Sequence, residues 1–557
     1  MAFYGIPSPG LALTASTAGD TIQLFNNSTA VVSSTTILGL NGNDIINLGA
    51  EGYIGSSVNK TEFVIRRGAA VSGADAVSGE MTISGSLFGA DVEYSTSTTI
   101  SGVALVSGAT STTFSGSVTV SGVITSENAV RRVVASQIFG NQDNDFIALG
   151  NQLTMISAST IGGGAGNDTI GTYTYISQLT AASRLETANL ISNSFIEAGG
   201  GNDVVFLNTT GSISTATIQG SLGNDNINVS AVGSFNRVQF LGGGDDDALT
   251  IDTDSIASAV SLYGGGGNDI ITFTASGAKL LSIAGDSFNV SDAVYDGNDT
   301  ITVSFVSASS TLVQGGGGND SITLSGTDAG NNFINANAGN DSIMISNTLF
   351  SAGTIAGGAG NDSIRISGGI LGGSYVFGGG DKDTIDFVSD AFSGAIVANT
   401  TVYGGLGADL FLATGTQGSG TLGVTFGYSS FADSTISAMD SISIGGAVQS
   451  GVYLLNYDPA GLAAGSFSAA NGAATGTNGT VVFTGTFDTD LTSRVALIDA
   501  NMTSTGATVT FIANTNQNFV FIQGGTTDLV ARIGTANTAL NAGITVAGGK
   551  LVTLTLV

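Results

Sequence analysis

Asn-Asp and Asp-Asp pairs recur along the chain, each after a glycine-rich stretch and each before an alternating apolar run. Gly39-Leu40-Asn41-Gly42-Asn43-Asp44, Gly163-Gly164-Ala165-Gly166-Asn167-Asp168 and Gly315-Gly316-Gly317-Gly318-Asn319-Asp320 show the pattern. The closing aspartates are Asp44, Asp145, Asp168, Asp203, Asp225, Asp247, Asp269, Asp299, Asp320, Asp341, Asp362, Asp383 and Asp409, and a shortened unit, Ala18-Gly19-Asp20, opens the chain. From Asp203 to Asp269 every step is 22 residues; from Asp299 to Asp383 every step is 21. Glycines permit a tight, partly left-handed turn and leave backbone carbonyls uncovered. The aspartate adds a hard anionic oxygen, and a turn stacked above supplies another. Calcium takes six to eight oxygen ligands at about 2.3–2.6 Å, a demand that carbonyls of two successive turns plus two carboxylates meet without His or Glu. The candidate metal ligands are therefore the thirteen aspartates together with the turn glycines Gly164, Gly166, Gly265, Gly267, Gly316, Gly318, Gly358 and Gly360. Some units depart from the pattern: 140–145 and 242–247 carry Asp143 and Asp245 at their fourth positions, Lys382 stands beside Asp383, and Ala408 beside Asp409.

Something must bring these turns together, and the residues after each aspartate say what. Two positions on comes a large apolar side chain: Ile46, Ile147, Ile170, Val205, Ile227, Leu249, Ile271, Ile301, Ile322, Ile343, Ile364, Ile385 and Phe411. Two further on there is often another, as with Leu324, Ile345, Ile366 and Phe387. Alternation with period two places them on one face of a strand. A step of about 21 residues accommodates a glycine-rich turn, a strand, a plain turn and a second strand, which is one coil of a parallel solenoid. Stacked coils put the isoleucine column inside and all the glycine-rich turns on one edge. The expected class is all-β: a parallel β-roll, or β-solenoid, with a calcium column on one edge, a β-rich insert and a β-rich C-terminal region.

Composition narrows the chemistry further. There is no Cys and no His among 557 residues, so disulfides, thiolate nucleophiles, Cys or His zinc sites and the Ser-His-Asp triad are all excluded. The net charge of −29 disfavours nucleic acid and anionic membranes as partners, since phosphate contacts need a basic face. No apolar run reaches the roughly 18 residues of a membrane span. No helix follows the glycine turns to hold a phosphate, and no Glu occurs after Glu197 to complete an EF-hand loop. Ordinary turn chemistry accounts for a single Gly-Asn-Asp unit but not for a register of thirteen. A carboxylate-pair glycosidase would need two singled-out acids, and Glu62, Glu80, Glu93 and Glu127 show no such pairing. No catalytic residue is assigned, and the chain is not expected to be an enzyme.

The units resemble the repeats-in-toxin (RTX) nonapeptide, Gly-Gly-x-Gly-x-Asp-x-apolar-x, well over about residues 140–415 and in part over 18–48. The resemblance implies multiple bound Ca2+. In that family a unit is often nine residues, with calcium on both edges; the period of about 21 here implies a column on one edge. The chain divides into residues 1–58, the start of the roll; 59–132, an insert; 133–413, the calcium roll; and 414–557, a C-terminal capping, secretion or assembly region. The insert carries apolar-Ser-Gly triplets and reads as a hairpin sandwich or a second short solenoid. Arg66-Arg67 and Arg131-Arg132 bracket it, either as local salt-bridge partners or as a patch for an acidic neighbour or a surface polysaccharide. The segment from Phe431 to Ile444 is similar to those that close RTX arrays, and 519–530 reads as a hairpin. The start lacks a secretory signal peptide, and Lys550 to Val557 is similar to a type I secretion signal or forms a capping strand. The resemblance extends to type I-exported S-layer proteins. It implies a structural, calcium-dependent lattice subunit on the surface of a Gram-negative-type bacterium, its main partner being itself and a cell-surface polysaccharide a second candidate. A calcium-dependent surface adhesin or matrix-binding module is the alternative.

Overall fold

The computed structural model describes side chains over residues 156–171, 190–286, 297–326, 330–346, 352–367, 373–388, 400–412, 425–443, 462–469, 474–484, 490–513 and 517–533, and places further strands by their backbone alone. Among the described residues the chain forms a parallel β-solenoid of about nine turns, as the spacing of the aspartates requires. It forms two compact units, 1–295 and 296–557, which are taken in turn.

In the first unit each coil contributes one strand before and one strand after the glycine-rich turn. The strands after it pair parallel and in register, so that Ile170, Val205, Ile227, Leu249 and Ile271 stand one above another. The strands before it stack Ile161, Ile196, Ile218, Phe240, Leu262 and Ile283 in the same way. Every one of these side chains is buried. Burying an Ile or Leu stabilises by about 1.5–3 kcal/mol, so the two facing columns hold the sheets together without a globular core. A one-residue slip would turn each column to solvent, which fixes the register. Within 59–132 the strands also pair parallel: Asp75–Val77 with Val92–Tyr94, Met81–Ser84 with Thr98–Ser101, and Leu87–Gly89 with Ala104–Ser107. Of the two readings of the insert, a short solenoid therefore matches the placement and a hairpin sandwich does not.

The second unit repeats the plan. Its columns are Ile301, Ile322, Ile343, Ile364, Ile385, Phe411 and Ile442 on one sheet, and Val313, Ile334, Ile355, Val376, Val402 and Phe426 on the other. The register runs on through Ser441–Gly445. There Phe411 and Phe426 meet edge to face, 5.3 Å apart, and fill the last coil.

A module of a different kind follows. Leu491–Asn501 is an α-helix, the one feature of the described residues that the all-β expectation missed. Asp490 caps its N-terminus, accepting from the Ser493 N–H at 3.0 Å, and Leu491, Val495 and Ile498 form its buried stripe. That stripe packs on Val509, Phe511, Phe519 and Phe521 of an antiparallel sheet, Ala507–Ala513, Gln517–Ile522 and Leu529–Ile533. The latter two strands are the hairpin expected around 519–530. Leu551–Thr555 pairs antiparallel with Val452–Tyr457 and Thr545–Ala547. Among the described residues no helix is long and apolar enough to cross a membrane.

Candidate metal centre

Each glycine-rich turn places its closing aspartate inside the roll. Asp168, Asp203, Asp225, Asp247 and Asp269 in the first unit, and Asp299, Asp320, Asp341, Asp362, Asp383 and Asp409 in the second, are all buried. Asp44 and Asp145, like the side chains of the two arginine pairs, lie outside the described residues. The carboxylates form a ladder. Oδ1 of each accepts from the backbone N–H of the aspartate one coil earlier: Asp203 from Asp168 at 2.6 Å, Asp225 from Asp203 at 2.9 Å, Asp247 from Asp225 and Asp269 from Asp247 at 2.7 Å. In the second unit the rungs run from Asp299 through Asp409 at 2.7–2.9 Å.

A second ladder runs the other way on the exposed side of the turn. The N–H of Asn340 donates to Asn319 Oδ1 at 2.7 Å, that of Asn361 to Asn340 at 2.8 Å, and that of Lys382 to Asn361 at 3.1 Å. This explains the Asn in the Asn-Asp pair. It also explains why Lys382 is tolerated, since at that rung the ladder uses only its backbone. Asp246 plays the asparagine part for Asn268.

The other oxygen of many of these carboxylates is left over. Oδ2 of Asp203, Asp225, Asp247, Asp341, Asp362, Asp383 and Asp409 is buried and has no hydrogen-bond partner. Buried carboxylate oxygens without partners are costly, so a column of them calls for a cation. The structure also shows where one fits. A Cβ built on Gly242 would lie within 3.0 Å of both Asp247 Oδ2 and the carbonyl oxygen of Gly264 in the next coil. Gly163, Gly264, Gly315, Gly357 and Gly378 are hemmed in the same way by their own carboxylate and a carbonyl of the coil above. At these six turns carboxylate and carbonyl oxygens thus converge on the space that the glycine leaves open. Among the described residues no three His, Cys, Asp or Glu side chains cluster, and the neighbouring oxygens that the structure shows are backbone carbonyls. An all-oxygen donor set of this kind suits Ca2+ and not zinc.

The glycines singled out in the sequence do a related job. Gly164, Gly166, Gly265, Gly267, Gly316, Gly318, Gly358 and Gly360 all have positive φ. A Cβ on Gly265 or Gly360 would strike the carbonyl of Gly243 or Gly339 in the coil below. Sequence reasoning missed the glycine five residues before the aspartate, whose Cβ space is the cradle itself; its signal was its recurrence as Gly163, Gly220, Gly242, Gly264, Gly315, Gly357, Gly378 and Gly404. It also missed Asp440, buried and accepting from the Asp409 N–H at 3.0 Å as a further rung. The signal was Asp440-Ser441-Ile442-Ser443-Ile444, which matches Asp320-Ser321-Ile322-Thr323-Leu324 without a glycine turn before it.

Burial raises these carboxyls, and neighbouring aspartates add to the effect. Asp225 and Asp362 are pushed up to about 7, and Asp247 and Asp383 to about 8. Without a cation the column holds protons near neutrality, and calcium competes for the same oxygens.

Four stretches of the chain, 192–209, 257–275, 310–343 and 352–365, match the family model of the RTX calcium-binding nonapeptide repeat. The chain carries RTX calcium-binding repeats. The matched stretches contain Asp203, Asp269, Asp320, Asp341 and Asp362; Asp225, Asp247, Asp383 and Asp409 lie outside them and share the same ladder geometry. No curated protein shows significant similarity to the chain. RTX repeats bind Ca2+, their roll is a structural, non-catalytic fold, and proteins that carry them are typically secreted.

Proposed function

We propose that this RTX protein is an extracellular structural protein, a calcium-dependent lattice subunit of the S-layer type exported by a type I system. Its metal ligands are the column aspartates from Asp44 to Asp409, with carbonyls of the glycine turns, including Gly164 to Gly166 and Gly316 to Gly318. The observation that carries this reading is the ladder of buried carboxylates with unpartnered oxygens. It makes the rigidity of each unit's roll depend on calcium, and calcium is plentiful outside a cell and scarce inside. The surface supports self-association over binding to charged ligands: 13 basic residues serve a 557-residue chain, and Leu222, Val306 and Leu406 are exposed. Residues 1–58 and 133–413 supply the roll, and 414–557 the capping and assembly contacts.

Light scattering and electron microscopy during a calcium titration test this. Sheets or filaments that appear with millimolar calcium and disperse on chelation are expected. A monomer at every calcium level would replace the lattice with the alternative, a calcium-dependent surface adhesin or matrix-binding module that engages a polysaccharide.

A further inference from the structure

At its C-terminal end the column runs out of glycine-rich turns before it runs out of aspartates. Asp440 follows Asp409 by 31 residues and stands behind Met439, yet it takes its place as a rung and Ile442 joins the core column. Its own N–H no longer meets a carboxylate. It donates to Ser434 Oγ at 2.9 Å, and the Ser434 hydroxyl donates to the Val530 carbonyl at 2.5 Å. The Val530 N–H returns to the Ser434 carbonyl, and the Arg532 N–H donates to the Asp440 carbonyl, both at 2.9 Å. Ser441–Gly445 pairs parallel with Leu529–Ile533 at Ser441 and Ile442. The last rung is therefore hydrogen-bonded directly to the sheet of the helix-bearing module.

Oxygens outnumber donors around this rung. Asp440 is wholly buried and Tyr428 is 1% exposed. Asp409 Oδ2 has no hydrogen-bond partner, and among the described residues the Asp440 carboxyl meets only the Asp409 N–H and the Tyr428 hydroxyl. Burial raises the Tyr428 hydroxyl, the charges of Asp440, Asp409 and Asp433 add to this, and its hydrogen bond with the Asp440 carboxyl places it at the rung. Asp433 adds charge, but its own oxygens accept from the Ser429 and Ser430 N–H and hydroxyl groups. Among the described residues no basic side chain answers these acids: the Arg532 guanidinium donates to Ser441 Oγ. Two buried carboxylates served by one hydroxyl and one backbone N–H keep oxygens to spare, and such a set makes a site for a hard cation.

We propose that Asp409, Asp440 and Tyr428 form a terminal calcium site, built outside the nonapeptide pattern, whose occupancy fastens the C-terminal module to the roll. It extends the calcium reading of the column and is independent of the lattice reading. The two carboxylates neutralise the ion and Tyr428 contributes a neutral oxygen. With the ion bound, the Asp440 backbone is held where Arg532 and Ser434 meet it; without it, nothing ties the Asp409 and Asp440 carboxyls together and that junction loosens.

Calcium titration of the full chain, paired with hydrogen exchange at the Val530 and Arg532 amides, tests the proposal. Asp440→Asn keeps an Oδ1 for the Asp409 N–H while removing the charge, and it is expected to bind one calcium fewer and to exchange faster at both amides. Tyr428→Phe keeps the ring and serves should the first variant misfold; one site is expected to weaken on the order of tenfold while the others hold. Unchanged calcium number and affinity in both variants would overturn the site. A lost site with unchanged exchange at Val530 and Arg532 would overturn the fastening. An unsubstituted chain that binds no calcium at all would instead overturn the column as a whole.

Discussion

The two edges of each coil solve one problem in two ways. At both, the chain reverses and the backbone groups at the bend must find partners. At the glycine edge the partners are aspartates and the turn needs two positive-φ positions per coil, such as Gly358 with Gly360. At the opposite edge one positive-φ residue suffices in most coils, and it is rarely glycine: Asn193, Thr215, Arg237, Ala259 and Leu280 in the first unit, Ser310, Ala352 and Gly373 in the second, with Gly330 and Asn331 together in one coil. The residue that follows is buried and uncharged, whether Val238, Val260 and Leu281 or Thr311, Asn332 and Ser374. Asn332 even reproduces a rung, accepting from the Thr311 N–H at 2.7 Å, as Asp341 does from Asp320. An amide does for one edge what a carboxylate does for the other. The carboxylate alone keeps a second anionic oxygen facing a glycine-lined space. The difference teaches that the aspartates are not needed to stack the coils; they are there for the cation.

Chelation should break the comparison most completely. Extracellular calcium modules bind at about 10⁻⁴–10⁻³ M, and at tenfold saturation each site adds about 1.4 kcal/mol. Several such sites together match the whole stability of a typical domain, roughly 5–15 kcal/mol. Circular dichroism should show the strand signal lost in chelator and restored by calcium, however well the uncharged edge is satisfied.

Next in size is Asp383→Asn. It preserves the hydrogen bond to the Asp362 N–H and removes one charge, so calcorimetric titration should show adjacent sites weakened, each by roughly 1–3 kcal/mol. Asp252→Asn, on a strand face where Asp252 accepts only from Ser230, should leave calcium binding unchanged. Equal effects would remove the distinction between rung and surface aspartates.

Proton and calcium should act as rivals at the aspartate edge. A carboxyl raised in the folded state from 3.8 to about 7 or 8 contributes most to stability below the unfolded value and loses that contribution as pH climbs through the folded one. The calcium-free protein should therefore be more folded near pH 4 than at pH 8, measured by thermal melts in chelator. Calcium affinity should fall over the same range as pH is lowered. A calcium-free melt that improves from pH 4 to 8 would contradict the burial of these groups.

Two smaller changes sharpen the contrast. Gly378→Ala puts a methyl group into the cradle of Asp383, whereas Gly380 two residues on has nothing within 4 Å of a built Cβ and no positive φ. Ala198 and Ala336 occupy the equivalent place before Asp203 and Asp341, so Gly378→Ala should weaken calcium binding without unfolding the roll. Gly380→Ala should be neutral or stabilising by about 0.4–1 kcal/mol. Asn332→Ala, at the far edge, should cost about 1–3 kcal/mol of stability and leave calcium affinity untouched.

Much of this molecule is legible one residue at a time because a solenoid makes every coil's neighbour a fixed number of residues away. A step of 21 or 22 then encodes stacking, and the apolar residue two places after each aspartate encodes which face is inside. The candidate ligands Asp203 to Asp409 could be read for the same reason: their environment is a copy of the next coil's. Where the period breaks, that reading fails. Asp440 lies 31 residues beyond Asp409 with no glycine turn, and only the pairing of Ser441–Gly445 shows that it rejoins the column. The helix Leu491–Asn501 has an Asp cap and a stripe at Leu491, Val495 and Ile498, but the strand-like composition around it hides that signal until Phe511 and Phe519 are seen packed against it. Repetition turns spatial neighbours into a sequence interval; a cap has no repeat to copy, so its contacts exist only once the chain has folded back on itself.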